Sequence, residues 1–269
     1  MRNQPHPPVD AAFLRQALED FGVPRGGVVI VHSSLSAFGN VIGGGAAVVE
    51  ALLGCMGDAG TLVVPTFTPQ ISDPQPHDGE SSSTPGDSLG SHVPLFHRTT
   101  PTLMGAVPNA VLADARHRRS FHPQASVAAI GPHAETITAD HPLAYALGKQ
   151  SPFEQLYALG AHILLLGVGH NRNTFLHYAE SLTPRHRTKR RRFPYENASE
   201  RVWMEVPDVG DDNGRFFPQV GADADAAGLI RHRRIASAPC QLMASGPFVD
   251  FATTRLDALL TDAEQVALR

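Results

Sequence analysis

The stretch AHILLLGVGHNRNTFLHYAES, residues 161–181, decides how this chain folds. Its apolar run at 163–166 breaks on Gly167 and Gly169, a length that suits a buried strand better than a helix. Beyond the glycines, Asn173 or Thr174 can cap a helix carrying Phe175, Leu176, Tyr178 and Ala179. A strand–turn–helix puts its turn at the carboxyl end of a sheet, where open α/β folds keep their sites. Polar groups crowd this turn: His170, Asn171, Arg172, Asn173 and Thr174, then His177 and Glu180. His177 and Glu180 share a helix face by their i, i+3 spacing. A capped helix with a surface His–Glu pair would account for them. Two histidines around one glycine turn point instead to chemistry, which we place here.

The rest of the composition narrows the function classes. Hydrophobic residues make up 42% and charged residues 18%, which supports a folded core and excludes a disordered chain. A formal charge of −4 gives no global attraction to nucleic acid or to an anionic membrane. Two cysteines, Cys55 and Cys240, permit neither a disulfide framework nor a Cys-rich zinc site, and no HExxH-type metal motif is present. No signal peptide and no membrane-length apolar run is seen, so the expectation is a cytoplasmic protein. At 269 residues one domain spanning 1–269 is expected; a homodimer is allowed but not indicated.

Upstream, Asp10 can cap a first helix with Phe13, Leu14, Ala17, Leu18 and Phe21 at helical spacing. A strand at 28–31 leads into His32-Ser33-Ser34-Leu35 and a glycine-rich segment, 39–45. A helix over 46–56 and a strand over 61–64 complete a βαβ-like unit with parallel pairing. The glycine loop lacks the Lys-Ser/Thr of a P-loop and does not fit GxGxxG, so a tight turn competes with a phosphate cradle. Residues 67–98 read as irregular, and Asp73, Asp78, Glu80 and Asp87 there are candidates to attract a cationic substrate. A helix over 103–113, an apolar run at 127–131 and two short helices within 134–160 follow, the second opened by Ser151-Pro152. Downstream, the basic run RHRTKRRR (185–192) lacks interleaved aromatics and reads as a solvated edge strand. Then come a strand at 201–206, a loop holding Asp208, Asp211 and Asp212, a helix over 216–230, a last strand at 234–242 and a closing amphipathic helix at 247–260.

Four separated stretches carry a resemblance: VVIVHSSLSAFGNVIGG (28–44), GTLVVPTFT (60–68), RRSFHPQASVAAIGP (118–132) and LLLGVGHNRNTFLHYAE (164–180). In order and spacing they resemble the aminoglycoside 3-N-acetyltransferases, over nearly the whole chain and fading after Arg192. The resemblance implies an α/β fold with a mixed central sheet flanked by helices, the antibiotic N-acetyltransferase fold, distinct from GNAT. It implies acetyl transfer from acetyl-coenzyme A to an amine, with His177 of the LHxAE motif as general base and acidic residues assisting it. Of these, Glu180 lies in the motif and Asp208 falls in a strand-end loop at 205–208. For the coenzyme it implies His32, Ser33, Ser34 and Leu35 with the glycine loop (Gly43, Gly44), supplemented by Arg119, Ser120 and His122. One position departs from the family pattern: Asn171 stands where GVGHD would place an aspartate, which weakens a role in orienting His177 or in pairing a polycationic acceptor.

The expected chemistry follows from the base. An amine attacks a thioester only as the free base, and a neutral histidine can take its proton near neutral pH. Thr66, Ser33, Asn171 and loop N–H groups are candidate oxyanion donors; His170 is the alternative base. No covalent acetyl-enzyme and no metal are required. Three functions stay open: acetylation of an aminoglycoside, the same chemistry on a smaller metabolite amine, and a non-catalytic coenzyme A-binding protein.

Overall fold

The apolar run of the opening stretch forms β5 (His162–Leu166), paired in parallel with β1 (Val28–Ser33), which pairs in parallel with β2 (Thr61–Pro65). On one side β2 runs antiparallel to β4 (Val127–Ile130), which pairs with the short edge strand β3 (Arg118–Arg119). On the other, β5 runs antiparallel to β9 (Ala238–Ala244), which pairs with β8 (Arg231–Ile235). The result is a mixed seven-stranded sheet in the order β3-β4-β2-β1-β5-β9-β8. This is a computed structural model describing residues 9–73, 92–210 and 214–267. Asp78, Glu80, Asp87, Asp211 and Asp212 lie outside the described residues.

Because strand side chains alternate, the sheet buries two apolar faces. Val29, Val31, Leu62, Val64, Leu164 and Leu166 pack toward α1 (Ala11–Phe21), α2 (Gly44–Met56) and α3 (Ala106–Ala113). Val28, Ile30, Val63, Ile163 and Leu165 pack toward α4 (Ala134–Thr138), α5 (Pro152–Ala158), α6 (Phe175–Ser181), α7 (Phe216–Ala226) and α8 (Ser245–Ala267). The caps read from sequence are present: the Asp10 carboxylate accepts from Phe13 N–H at 2.8 Å, and Ser151 Oγ accepts from Phe153 N–H at 3.1 Å ahead of Pro152. Among the described residues no helix is long and apolar enough to cross a membrane.

Three sequence expectations change. The helix expected from Leu103 begins at Ala106, because Gly105 at φ 108° precedes it. The single strand expected over 234–242 is two, β8 and β9, turned at Ala236 with φ 51°. The basic run enters β6 (Thr188–Asn197), which among the described residues pairs antiparallel only with β7 (Glu200–Val209), in a separate ribbon. That ribbon packs Phe193 and Val206 against Ile71, Val93 and Phe96. Asp208 therefore sits inside a strand rather than in the loop after it.

Candidate active site

β1 and β5 are adjacent and parallel, yet the helices that follow them, α2 and α6, lie on opposite faces of the sheet. The outgoing chains diverge at the carboxyl ends of the two strands and leave a crevice, the usual site position in open α/β sheets. A cavity of about 690 Å³ fills it. The end of β1 contributes His32, Ser33, Ser34 and Leu35; the turn after β5 contributes Gly167, Val168, Gly169, Asn171, Arg172 and Thr174. Two backbone hydrogen bonds hold the mouth: Ser34 N–H to the Leu166 carbonyl and Gly167 N–H to the Pro239 carbonyl, both at 2.9 Å. Gly167 is required here: its φ is 69°, and a Cβ would meet that of Ala37 at 2.3 Å.

Sequence reasoning missed the third wall, Leu103, Met104, Gly105, Ala106 and Pro108. No sequence signal marked it: the exposure of Leu103, 64%, emerges only once α3 is placed. The glycine loop, in contrast, does not border the cavity. Gly45 brings α2 against α3, since a Cβ there would lie 2.5 Å from the Ala106 carbonyl oxygen, and neither Gly43 nor Gly44 is in the wall. Within the loop, Gly45 serves packing, while Gly44 faces open space.

The two histidines of the turn differ in what surrounds them. His170 is buried, its ring stacked on Phe248 at 5.5 Å. Its Nε2 donates to Gln241 Oε1 at 2.9 Å, and its Nδ1 accepts from Asn173 Nδ2 at 3.3 Å, so both nitrogens are engaged in one tautomer. Burial lowers its pKa. Asn173, rather than Thr174, supplies the side-chain cap of α6, its Oδ1 accepting from Phe175 N–H at 3.2 Å. His177 lies one helical turn beyond the cavity-lining Thr174, on the same helix face, 8% exposed and edge-on to Phe217 at 4.8 Å.

The acidic residues are placed differently from the sequence reading. Glu180 is not a surface partner of His177: it is fully buried and grips Arg187 through Nε and Nη2, each at 2.8 Å. Asp208 is fully buried in β7, ion-paired with Arg191 and accepting from Val209 N–H at 2.8 Å, and its charge bears on His141. Arg192 pairs with Asp73 at 2.5 Å. The basic run does enter an edge strand, as expected, but it is not merely solvated: Arg187, Arg191 and Arg192 neutralise Glu180, Asp208 and Asp73.

The segment 119–122 borders no part of the main cavity. Arg119 is buried and donates to the Thr66 carbonyl at 2.8 Å. Ser120 Oγ accepts from Val127 N–H and donates to His141 Nδ1, at 2.9 and 2.8 Å. His122 Nδ1 accepts from the N–H groups of Gln124 and Ala125 at 3.0 and 2.9 Å, and burial lowers its pKa to about 3. Of the oxyanion candidates, Ser33 and Asn171 line the cavity, while the Thr66 hydroxyl bonds to the Ser126 carbonyl at 3.0 Å. His32 is buried at the end of β1, and desolvation lowers its pKa to about 3.

The family model for aminoglycoside 3-N-acetyltransferase matches residues 30–257. The chain belongs to the aminoglycoside 3-N-acetyltransferase family. The chain is 36% identical to aminoglycoside N(3)-acetyltransferase III of Serratia marcescens, over 79% of this chain and 75% of that one. Among solved structures, the YokD protein from Bacillus subtilis superposes with a TM-score of 0.83 at 31% identity, covering 92% of this chain and 93% of its own. An AAC-IIIb binary structure with CoASH gives 0.82 at 26% identity, covering 93% and 97%. As a member of this acetyltransferase family the chain has the mixed α/β fold expected from sequence, with the GVGHNR turn at the switch point.

Proposed function

We propose that this enzyme transfers acetyl from acetyl-coenzyme A to an amino group of an aminoglycoside, directly, in a ternary complex. The observation that carries this reading is the switch-point cavity, which joins the HSSL end of β1 to the GVGHNR turn with His177 one helical turn behind Thr174. The acceptor nitrogen attacks the thioester carbonyl carbon, the oxyanion draws on donors such as Ser33 and Asn171, and the C–S bond then breaks. His177 takes the ammonium proton and returns it to the departing thiolate. The engagement of both His170 nitrogens supports His177 over His170 as the base. Glu180 and Asp208 act at one remove in this reading, fixing α6 and the β6–β7 ribbon through their arginines. Acetyl-coenzyme A as donor fits a cytoplasmic reaction.

One observation favours a second acceptor class, a small amine of low charge. Among the described residues none that lines the cavity is Asp or Glu, and Arg172 is there instead. A polycation gains little from such a wall. A thiol-release assay with acetyl-coenzyme A and a panel of aminoglycosides and small amines decides between the two. Turnover of aminoglycosides supports the first reading. Turnover of small amines alone supports the second, and no thiol release with any amine overturns both.

A further inference from the structure

At the β3 edge of the sheet a second hollow, of about 460 Å³, is lined by Arg98, His117, Arg118, Arg119, Glu135 and Thr138. Arg119 forms part of it although the residue is only 1% exposed. Its Nε donates to Ser126 Oγ at 3.1 Å, its Nη1 to the carbonyls of Arg98 and Thr100, and its Nη2 to the Thr66 carbonyl. Four of its five N–H groups are therefore engaged, all with neutral acceptors. The ring of Phe96 lies 4.8 Å from its Cζ. Among the described residues no carboxylate pairs with it. Hydrogen bonds to carbonyls satisfy the donors but leave a buried positive charge without a counter-ion, an arrangement that costs free energy.

The neighbouring charges add to this. Arg98 is exposed, lies over Phe121 at 5.8 Å and makes no side-chain hydrogen bond or ion pair among the described residues. Burial, together with the like charge of Arg98, lowers the Arg119 pKa to about 10. The one carboxylate of the hollow, Glu135, pairs with Arg118 at 3.2 Å on the exposed rim. His117 donates through Nδ1 to the Asp114 carbonyl at 2.7 Å, and the Asp114 carboxylate is held by Arg116. Arg98 and Arg119 thus both border one hollow, and neither has a carboxylate partner among the described residues.

We propose that this hollow binds a phosphate-class anion, with Arg98 closing on it from the rim and Arg119 at its base. Arg98, exposed and with no side-chain hydrogen bond or ion pair among the described residues, can offer its N–H groups in pairs to a tetrahedral oxyanion, while Arg119 contributes its uncompensated positive charge from below. Two sources present that chemistry: free phosphate, and the 3′-phosphate of coenzyme A. The second rests on the donor proposed above; the first does not.

The test is calorimetric titration of the full chain, at fixed ionic strength with chloride as reference, using inorganic phosphate, coenzyme A and dephospho-coenzyme A. Wild type binds phosphate saturably. Arg98→Ala, an exposed substitution that leaves the thermal midpoint unchanged, weakens it about tenfold or more. Glu135→Gln tightens it by removing the one opposing charge. If coenzyme A outbinds dephospho-coenzyme A and Arg98→Ala erases the difference, the occupant is the coenzyme's own phosphate. If phosphate binding alone depends on Arg98, the occupant is free phosphate. The proposal is overturned if wild type shows neither saturable phosphate binding nor Arg98-dependent discrimination between the coenzymes, or if Arg98→Ala leaves phosphate affinity unchanged. Should neither coenzyme bind while phosphate does, the donor reading fails and the anion site stands.

Discussion

At the scale of single residues, His170 and His177 sit in different surroundings around one glycine turn. His170 is fixed at both nitrogens by Gln241 and Asn173 and stacked on Phe248, so it braces the turn. His177, one turn past the cavity wall and edge-on to Phe217, is the base of the proposed reaction. His177→Ala should lower turnover by ~10²–10⁴-fold, the usual cost of removing a positioned base, while coenzyme affinity measured by calorimetry stays near wild type. Near-normal turnover of that variant would return the base to His170. Asn171 makes a second prediction at this scale. It lines the cavity, and Asn171→Asp introduces the one carboxylate that the described wall lacks. The KM for aminoglycosides should fall in Asn171→Asp and become more sensitive to salt, with kcat changed less. An unaltered KM, or one equally salt-insensitive in both proteins, would place the acceptor away from Asn171.

At the scale of elements, the β6–β7 ribbon pairs with no strand of the main sheet among the described residues. Arg192–Asp73 and, at its entrance, Arg187–Glu180 tie it to the body, while Asp208–Arg191 ties its two strands to each other. Asp208 is fully buried and Arg191 18% exposed, and removing one partner of such a pair strands the other charge, at a cost of about 3–5 kcal/mol. Asp208→Asn should therefore lower the urea midpoint markedly. Arg190→Ala should change it little, because Arg190 is 81% exposed and its partner Glu205 42%. Equal effects of the two would refute the role of the buried Asp208–Arg191 pair in holding the two strands together. None of this attachment is legible in sequence. From the basic run at 185–192, Arg192 pairs with Asp73 and Arg185 with Asp257, separations of 119 and 72 residues that no local window shows. Other elements were legible for local reasons: the apolar run at 163–166 with its glycine break, the Asp10 cap and the Ser151-Pro152 start each act within a few residues. The boundary between β8 and β9 was not, since Ala236, which adopts φ 51°, is not a residue type that marks a turn, and Ser237 marks one only weakly. Pro207 hid the true length of β7, because proline argues against a central strand yet is tolerated in a two-stranded ribbon, where both strands are edges. The site was half legible: the HSSL and GVGHNR walls follow from strand ends, whereas the wall at 103–108 depends on how α3 docks onto α2.

At the scale of the whole molecule, burial of neutral imidazoles ties stability to pH. His32 and His122 are held to pKa values of about 3 by desolvation, and His141, beside His122 at 4.8 Å, is held well below the ordinary value for the same reason. In the unfolded chain these groups protonate near the reference value of about 6.5. Above that pH both states are neutral at these sites and the full stability is present. As pH falls from 6.5 toward 3, the unfolded state binds protons that the folded state refuses. Stability then declines by about 1.4 kcal/mol per pH unit for each such group. The Asp114 carboxyl, lowered to about 2 by its hydrogen bonds from Arg116, adds loss only further down, as pH falls from 3.8 toward 2. The acid limb of the stability curve should therefore begin near the histidine range, well above the carboxylate range. Urea unfolding followed from pH about 8 to about 5 should show the midpoint falling once pH passes below about 6.5. His122→Asn keeps an acceptor for the Gln124 and Ala125 N–H groups but removes one titrating site. It should start less stable at high pH and decline with a slope shallower by about one proton's worth. A midpoint that stays flat to pH about 5, or a slope that His122→Asn leaves unchanged, would mean that the rings are protonated in the folded state and that their burial does not set the acid limb.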